Sequence, residues 1–394
     1  MAEPTHLFPS FFLAGFECST HVNRRGERQD MTRLTQHDRF LDDDYARVRA
    51  MGIRAIREGV PWYRIDRKGR FDFRPVAPFV EAGQRHGLTQ IWDLFHYGFP
   101  SYLDPFEADF VPRFADYCHA FARYLIRRNG EHGTRFYTPV NEPSFYSWAG
   151  GQVAWFAPFE RDRGLELKLQ LVRAAVQGIN AIRAVDPRPR FVNVDPICHA
   201  VAPLDAPDLA EEAARFTTFQ WEAWDMLAGR TSEVWEGEDL GGSPEHLDII
   251  GVNYYLSGQW EHTRGTTLDY DDPRRRPFRD MLMDVARRYP GHTICITETG
   301  CWGNLRPRWL RDVVDAVLYV RQQGVDLQGI TLYPIVDMPD WHSGQYMEFG
   351  LWDLVPDRGR LRRVLYRPYL EELLRQQRRL AAAGLPGELA SNVA

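Results

Sequence analysis

The sequence predicts an α/β protein with a closed (β/α)8 (TIM) barrel, and three observations lead there. Eight short apolar or β-branched runs recur along the chain, and each is followed by a longer stretch with helical periodicity. No run is followed by G-x-G-x-x-G or G-x-x-x-x-G-K-[ST], which removes the usual nucleotide-binding reason for an open doubly wound sheet. Continuous apolar strands alternating with helices imply a parallel sheet buried on both faces. Eight such units in 394 residues fit a barrel of about 250 residues plus insertions.

In chain order the predicted strands are "FFLAG" (11–15), "IRAIREG" (53–59), "LTQIWDLF" (88–95), "RFYTPV" (135–140), "RFVNVD" (190–195), "LDIIGVN" (247–253), "TICITE" (293–298) and "GITLYPI" (329–335). Between and after them, apolar residues recur at helical spacing in "DDDYARVRAM", "RPVAPFVEAGQRHG", "RFADYCHAFARYLIRR", "LELKLQLVRAAVQGINAIRAV", "ARFTTFQWEAWDMLAG", "RDMLMDVARRY", "PRWLRDVVDAVLYVRQQ" and "RPYLEELLRQQRRLAAA". The extra length falls after the fourth and fifth strands and in the polar segment 257–275. No linker divides the chain, so residues 1–394 read as one barrel domain, with 385–394 a frayed C-terminal tail.

Composition narrows the function classes. A chain with 44% hydrophobic and 26% charged residues has enough apolar content for a large core and is not of the disordered type. A net charge of −6 carries no nucleic-acid footprint, and no stretch approaches the roughly 20 apolar residues of a membrane helix. Nucleic acid and membrane are therefore not expected partners. Five scattered cysteines without C-x-x-C spacing read as reduced thiols, and "MAEPTHLFPSFFLAGFE" lacks a basic leader, so a cytoplasmic location is expected. There is no H-E-x-x-H or G-x-S-x-G, and "TQHDRFLDDDY" reads as a helix start with acidic first-turn residues rather than a metal cluster; neither metal nor cofactor is expected.

A barrel places its chemistry at the C-terminal ends of its strands. The polar residues sort accordingly. Glu17 lies past the first run, Arg57 and Glu58 end the second, and His96 follows the third. Asn141 and Glu142 end the fourth, Asn253 and Tyr255 the sixth and Glu298 the seventh, while Asp337 and Asp340 follow the eighth. Two of these, Glu142 and Glu298, each terminate an apolar strand on opposite sides of the barrel. Glycosidic bond cleavage needs such a pair: one carboxyl protonates a poor leaving group while the other meets positive charge at the anomeric carbon. An arginine such as Arg57 would hold one of them ionised, and a like charge would raise the pKa of the other.

The flanking residues extend this reading. "TPVNEP" (138–143) resembles the T-x-N-E-P signature of the family 1 glycoside hydrolases, the β-glucosidase-like enzymes of the retaining (β/α)8 clan, and "ITETG" (296–300) resembles their I-T-E-N-G. "AIREGVPWYRI" (55–65) is similar to R-x-S-x-S-W-x-R-I, "LFHYGFP" (94–100) to L-x-H-W-D-L-P, and "DIIGVNYY" (248–255) to D-F-x-G-x-N-Y-Y. "YPIVDMPDWHSGQYMEFGL" (333–351) resembles W-S-x-x-D-N-F-E-W-x-x-G-Y-x-x-R-F-G-L. The resemblance runs in order from about residue 12 to residue 352. It implies Glu142 as general acid/base and Glu298 as nucleophile. Asn141 would bind the sugar 2-hydroxyl, Arg57 and Tyr255 would orient Glu298, and His96 and Trp341 would bind the glycone, with Asn253, Tyr333 and Asp340 also in matched positions.

The departures concern the glycone clamp. The family's strand-one glutamine is absent, and the segment offers Glu17, His21 and Asn23 instead. The strand-eight tryptophan is Tyr333 and the glycone-binding glutamate is Asp340. Thr299 and Glu348 replace an asparagine and an arginine, and Glu58 is a carboxylate where the family has an apolar residue. Tyr146, Trp148, Trp155, Phe156, Trp302 and Trp341 supply flat surfaces suited to sugar faces.

The expectation is a retaining, exo-acting β-glycosidase that works by double displacement on a carbohydrate substrate. The alternatives are a transglycosidase using the same covalent intermediate, and a catalytically inactive carbohydrate-binding barrel. Glycone, aglycone and oligomeric state are not legible.

Overall fold

The computed structural model describes residues 6–130 and 133–388. Eight parallel strands close into a barrel: β1 (Phe12–Gly15), β2 (Ala55–Gly59), β3 (Thr89–Asp93), β4 (Arg135–Thr138), β5 (Pro189–Pro196), β6 (Ile249–Tyr255), β7 (Thr293–Gly300) and β8 (Leu327–Leu332). Each strand pairs with its sequence neighbours, and β1 closes the ring on β8 through Phe12↔Ile330. All eight predicted strands are present, in the predicted order.

Helices follow on the outside: α1 (Leu41–Ala50), α2 (Ala77–His86), α3 (Phe110–Asn129), α4 (Gly164–Arg183), α5 (Ala210–Thr217), α6 (Glu222–Leu227), α7 (Phe278–Arg288), α8 (Arg306–Gln322) and α9 (Arg367–Ala382). The one difference of pattern is the stretch expected as a single helix at 214–229. It divides into α5 and α6 around a tighter turn, Thr218–Trp221, where the Gln220 side chain accepts from Cys198 N at 2.9 Å and donates to Thr217 O at 2.8 Å. A two-stranded hairpin, Trp352–Asp357 with Arg360–Leu365, lies between β8 and α9.

Alternation along the strands sets up the site. Ala55, Ile91 and Phe136 belong to one apolar cluster with Leu13, Val192, Val194, Ile249 and Cys295, which fills the barrel interior. Ile56, Trp92 and Tyr137 belong to the other, which packs strands against helices. Burying each valine, leucine, isoleucine or phenylalanine among them contributes about 1.5–3 kcal/mol. Two residues above the inner layer, the same inward face carries Arg57, Asp93 and Thr138. The barrel is thus apolar at its base and ionisable at its C-terminal rim. Gly15 permits this closure, because a Cβ there would sit 2.1 Å from Tyr333 Cδ2.

The segment read as a frayed tail is held at its start. Leu385 is buried, and the Pro386 carbonyl accepts from Phe11 N at 2.8 Å. Its last residues, 389–394, lie outside the described residues.

Candidate active site

Arg57 occupies the centre of the rim with no exposed surface. One guanidinium nitrogen, Nη1, donates to Glu298 Oε1. The other, Nη2, donates to Asp93 Oδ2 at 2.5 Å and Asn141 Oδ1 at 2.6 Å. Burial alone would oppose the charge, but Asp93 and Glu298 more than offset it, so Arg57 stays a cation. Tyr255 Oη donates to Glu298 Oε2 at 2.7 Å, leaving both oxygens of that carboxylate held.

A register shift in the β6–β7 pairing aims Glu298. Val252 pairs with Ile296, but the next pair is Asn253 with Glu298, so Thr297 is the extra residue of a bulge. Its hydroxyl donates to Asn253 Oδ1 at 2.7 Å, which fixes the amide so that Nδ2 donates to Glu142 Oε1 at 2.7 Å. Asn253 was expected to bind substrate, and here it holds a carboxyl.

Glu142 is 7% exposed and Glu298 4%. Burial first, and the Glu298 charge second, push the Glu142 carboxyl up to about 8, against the opposing hydrogen bonds from Tyr97 and Asn253. At neutral pH Glu142 is therefore mostly a carboxylic acid. The backbone at Glu142 is left-handed, with φ 45, and Tyr97 shares this sparsely populated region at φ 61. Such residues persist only where the surroundings hold them, and they gather at functional sites. Asp195, at the end of β5, holds the turn after Glu142: Ser144 N donates to it at 3.1 Å and Ser144 Oγ at 2.6 Å.

Asn141 Nδ2 meets His96 Nε2 at 3.1 Å, and His96 Nδ1 meets Asp93 Oδ2 at 2.8 Å. Burial works against charge on His96, yet the surrounding groups raise its pKa well above the usual imidazole value. Cys18 Sγ lies 3.3 Å from Nδ1, but burial pushes its thiol up to about 11, so Cys18 is a neutral thiol at neutral pH. Cys18, Asp93 and His96 place three donor atoms within 4.8 Å of one another, the one grouping of metal-ligand type among the described residues. Their mutual hydrogen bonds and Arg57 account for the grouping.

Around this centre the expected glycone residues divide. Tyr333 is buried, lies beneath Arg57 at 5.6 Å and stacks parallel to His96 at 6.3 Å. His21 is buried against Phe156 at 4.3 Å and Trp341 at 5.5 Å. Apart from a weak approach to the Trp341 carbonyl, neither ring nitrogen of His21 finds a hydrogen bond among the described residues. Burial pushes that imidazole down to about 3, so it is neutral and can donate or accept. Trp341 Nε1 is likewise buried and unpartnered among the described residues.

Glu17 is buried, accepts from Ser19 N at 3.1 Å, and lies close enough to Tyr97, Tyr255 and Tyr333 to help raise their pKa values. Other rim residues turn away. Asp340 Oδ1 accepts from His342 N at 3.1 Å, Ser343 N at 2.6 Å and Ser343 Oγ at 2.7 Å, and so caps its own loop. Asp337 ties down Phe349, Gly350 and Leu354 backbone amides. Glu58 faces out of the barrel, accepting from Tyr45 Oη at 2.8 Å and bonding His37 Nε2 at 2.9 Å, while His37 Nδ1 bonds Asp44 at 2.9 Å.

Three contributors escaped the sequence reading: Asp93, Tyr97 and Thr297. Asp93 carried a signal, since it is the inward position two residues before the predicted end of the third strand, where an apolar residue would continue the core. Tyr97 stands where the resembled family has tryptophan. Its approach needs Gly98, where a Cβ would lie 2.3 Å from the Thr20 carbonyl oxygen.

A closed (β/α)8 barrel with two buried carboxyls at its C-terminal rim, one held by Arg57 and Tyr255 and the other with its pKa raised, has the parts that glycosidic bond cleavage needs. The comparisons agree. No family model matches the chain. It is 25% identical over 358 residues to thermostable β-glucosidase B of Thermobispora bispora, covering 77% of this chain and 73% of that one. It is 20% identical to β-glucosidase 47 of Arabidopsis thaliana, covering 89% and 82%. Among solved structures, the family 1 β-glucosidase of Thermotoga maritima superposes with a TM-score of 0.77 at 16% identity over 94% of this chain and 98% of that one. The same enzyme in complex with deoxynojirimycin gives 0.76 at 17%, covering 95% and 99%. The chain is a glycoside hydrolase, similar to the β-glucosidases. Among the described residues, no helix is long and apolar enough to cross a membrane.

Proposed function

We propose that the protein is a retaining, exo-acting β-glycosidase. The observation that carries this reading is the asymmetry of the carboxyl pair: Glu298 accepts from Arg57 and Tyr255, which aim and hold both its oxygens as a nucleophile needs, while Glu142 is pushed up to about 8 and suited to be an acid. In the first displacement a Glu298 oxygen bonds the anomeric carbon as the glycosidic C–O bond breaks and the Glu142 proton passes to the leaving oxygen. In the second, a water gives its proton to Glu142 while its oxygen displaces Glu298. Asn141 sits between Arg57 and His96, where its amide can meet a sugar hydroxyl. His21 and Trp341 Nε1 offer unspent hydrogen-bonding capacity for further hydroxyls. The five cysteines, all buried and free, suit a reducing, cytoplasmic setting.

The test is a panel of aryl β-glycosides covering hexopyranosides, uronides, pentosides and furanosides, followed by trapping with the 2-fluoro analogue of the best glycone. A covalent adduct on Glu298 and retained anomeric configuration in the first product are expected. An adduct elsewhere overturns the assignment of roles. No turnover across the panel, with sugar binding unaltered in Glu298→Gln, favours a binding protein.

A further inference from the structure

We infer that Tyr97 is the positioning residue of the acid/base carboxyl, its hydroxyl holding Glu142 Oε2 through both protonation states of the double displacement. The inference rests on the reading of Glu142 given above.

Tyr97 is 2% exposed, on the loop after β3. Its ring is wedged edge-on against His96 at 4.6 Å and Trp341 at 5.9 Å, and stacked on Tyr146 at 5.6 Å. Together with the left-handed backbone at φ 61, this leaves the hydroxyl little room to point anywhere but at Glu142. The bond is made: Tyr97 Oη meets Glu142 Oε2, and Asn253 Nδ2 takes Oε1.

The two partners differ in chemistry. An amide nitrogen whose own carbonyl is committed to Thr297 can only donate. A phenolic hydroxyl can donate or accept. When Glu142 is ionised Tyr97 donates to it; when Oε2 carries the proton, the hydroxyl turns and accepts. Tyr97 gains and loses no proton over the cycle. Proton transfer runs between Glu142 and the glycosidic oxygen in one displacement, and between water and Glu142 in the other.

The hydroxyl also sets how often the base form is available. In the free enzyme burial and the Glu298 charge both favour the protonated acid, and the Tyr97 bond opposes them. Once Glu298 is bonded to the sugar its charge is gone, and the Tyr97 bond is left to favour the base form against burial; without it the second displacement would find its base less often.

The experiment uses the full-length enzyme as wild type, Tyr97→Phe and Tyr97→Trp, the last keeping an aromatic ring of ample volume should the first fold poorly. Glutamate is labelled with ¹³C at the carboxyl, and Glu142→Gln identifies the Glu142 signal. In the variants the Glu142 midpoint is expected to move up by about 0.5–1 pH unit, with the basic limb of kcat/KM moving alongside it. For a substrate with a highly activated leaving group, kcat near pH 6.5 is expected to fall about 10-fold, with kcat/KM much less affected. An unmoved midpoint, or one uniform loss of kcat/KM at every pH, overturns the inference and marks Tyr97 as packing only. A shifted midpoint in a protein without turnover would instead sink the hydrolase reading and leave the hold of Tyr97 on Glu142 standing.

Discussion

Tyr255 Oη donates to Glu298 Oε2 at 2.7 Å from a strand position two residues beyond the bulge that also fixes Asn253. One irregularity in the β6–β7 ladder therefore serves both carboxyls. It re-aims Glu298 and, through Thr297 and Asn253, grips Glu142. Removing the Tyr255 hydroxyl takes one fixed donor from Glu298, the proposed nucleophile, while leaving the ring. Tyr255→Phe is expected to lower kcat about 10²-fold with KM changed only a few-fold. Steady-state kinetics on the best aryl glycoside decide it, and a loss confined to KM would contradict the orientation role.

Arg57 answers to three acceptors, Asp93, Glu298 and Asn141, all buried. Replacing it with alanine strands two carboxylates in a dry interior. Breaking such a pair from one side costs about 3–5 kcal/mol. Urea denaturation of Arg57→Ala should show that loss together with absent turnover. A variant with wild-type stability would mean that water enters the barrel mouth and solvates the carboxylates.

Glu142 makes activity and stability depend on pH in a defined direction. Its folded pKa, about 8, lies above the ordinary 4.5, so the folded state binds more protons between those values, and stability falls as pH rises through that window. The acid form that the proposed first displacement needs is lost above about pH 8, so kcat/KM should decline there. Glu142→Gln removes the cost of a buried charge, and its gain in melting temperature over wild type should be larger at pH 9 than at pH 5. Equal gains at both would show that Glu142 titrates near its ordinary value.

Much of this was legible in the sequence, and the reason is periodicity. Strands buried on both faces read as continuous apolar runs, so all eight could be placed, and the two glutamates stood out as carboxyls ending such runs. What could not be read was which way a side chain faces. Arg57 and Glu58 are adjacent, both polar and both at a strand end. Alternation sends Arg57 into the barrel and Glu58 out to His37 and Tyr45. Asp340 had the right place in the motif, but its loop folds back and uses its carboxylate as a cap. The bulge at Thr297 left no mark, since a threonine between Ile296 and Glu298 reads as one more strand residue.

The outward network is a structural counterpart to the site. His37 lies between Glu58 and Asp44, and Arg363 from the late hairpin completes it with a 2.8 Å bond to Asp44. Burial opposes the charge on His37, but Glu58 and Asp44 outweigh it and push the imidazole up to about 9. A raised histidine pKa contributes stability that is fully present below about 6.5 and lost as pH rises through 9. Glu58→Gln should therefore destabilise the fold at pH 6 by more than at pH 9.5, while kcat/KM stays within about 3-fold. A large catalytic loss with stability intact would place Glu58 inside the site after all.

The division of the glycone residues gives the last expectation. His21 is neutral, buried and unspent beside Trp341, whereas Asp340 has one oxygen saturated by three donors from its own turn. A buried side chain with free hydrogen-bonding capacity can discriminate among sugar hydroxyls; one committed to a loop acts through the shape of that loop. His21→Ala is expected to weaken binding of the preferred glycone about 10-fold, in line with one lost hydrogen bond to a buried partner of about 1–2 kcal/mol. Asp340→Ala should cost a similar amount of stability but leave the ranking of glycones across the aryl glycoside panel unchanged. If Asp340→Ala reorders the panel and His21→Ala does not, then the loop opens on substrate binding and Asp340 contacts the sugar.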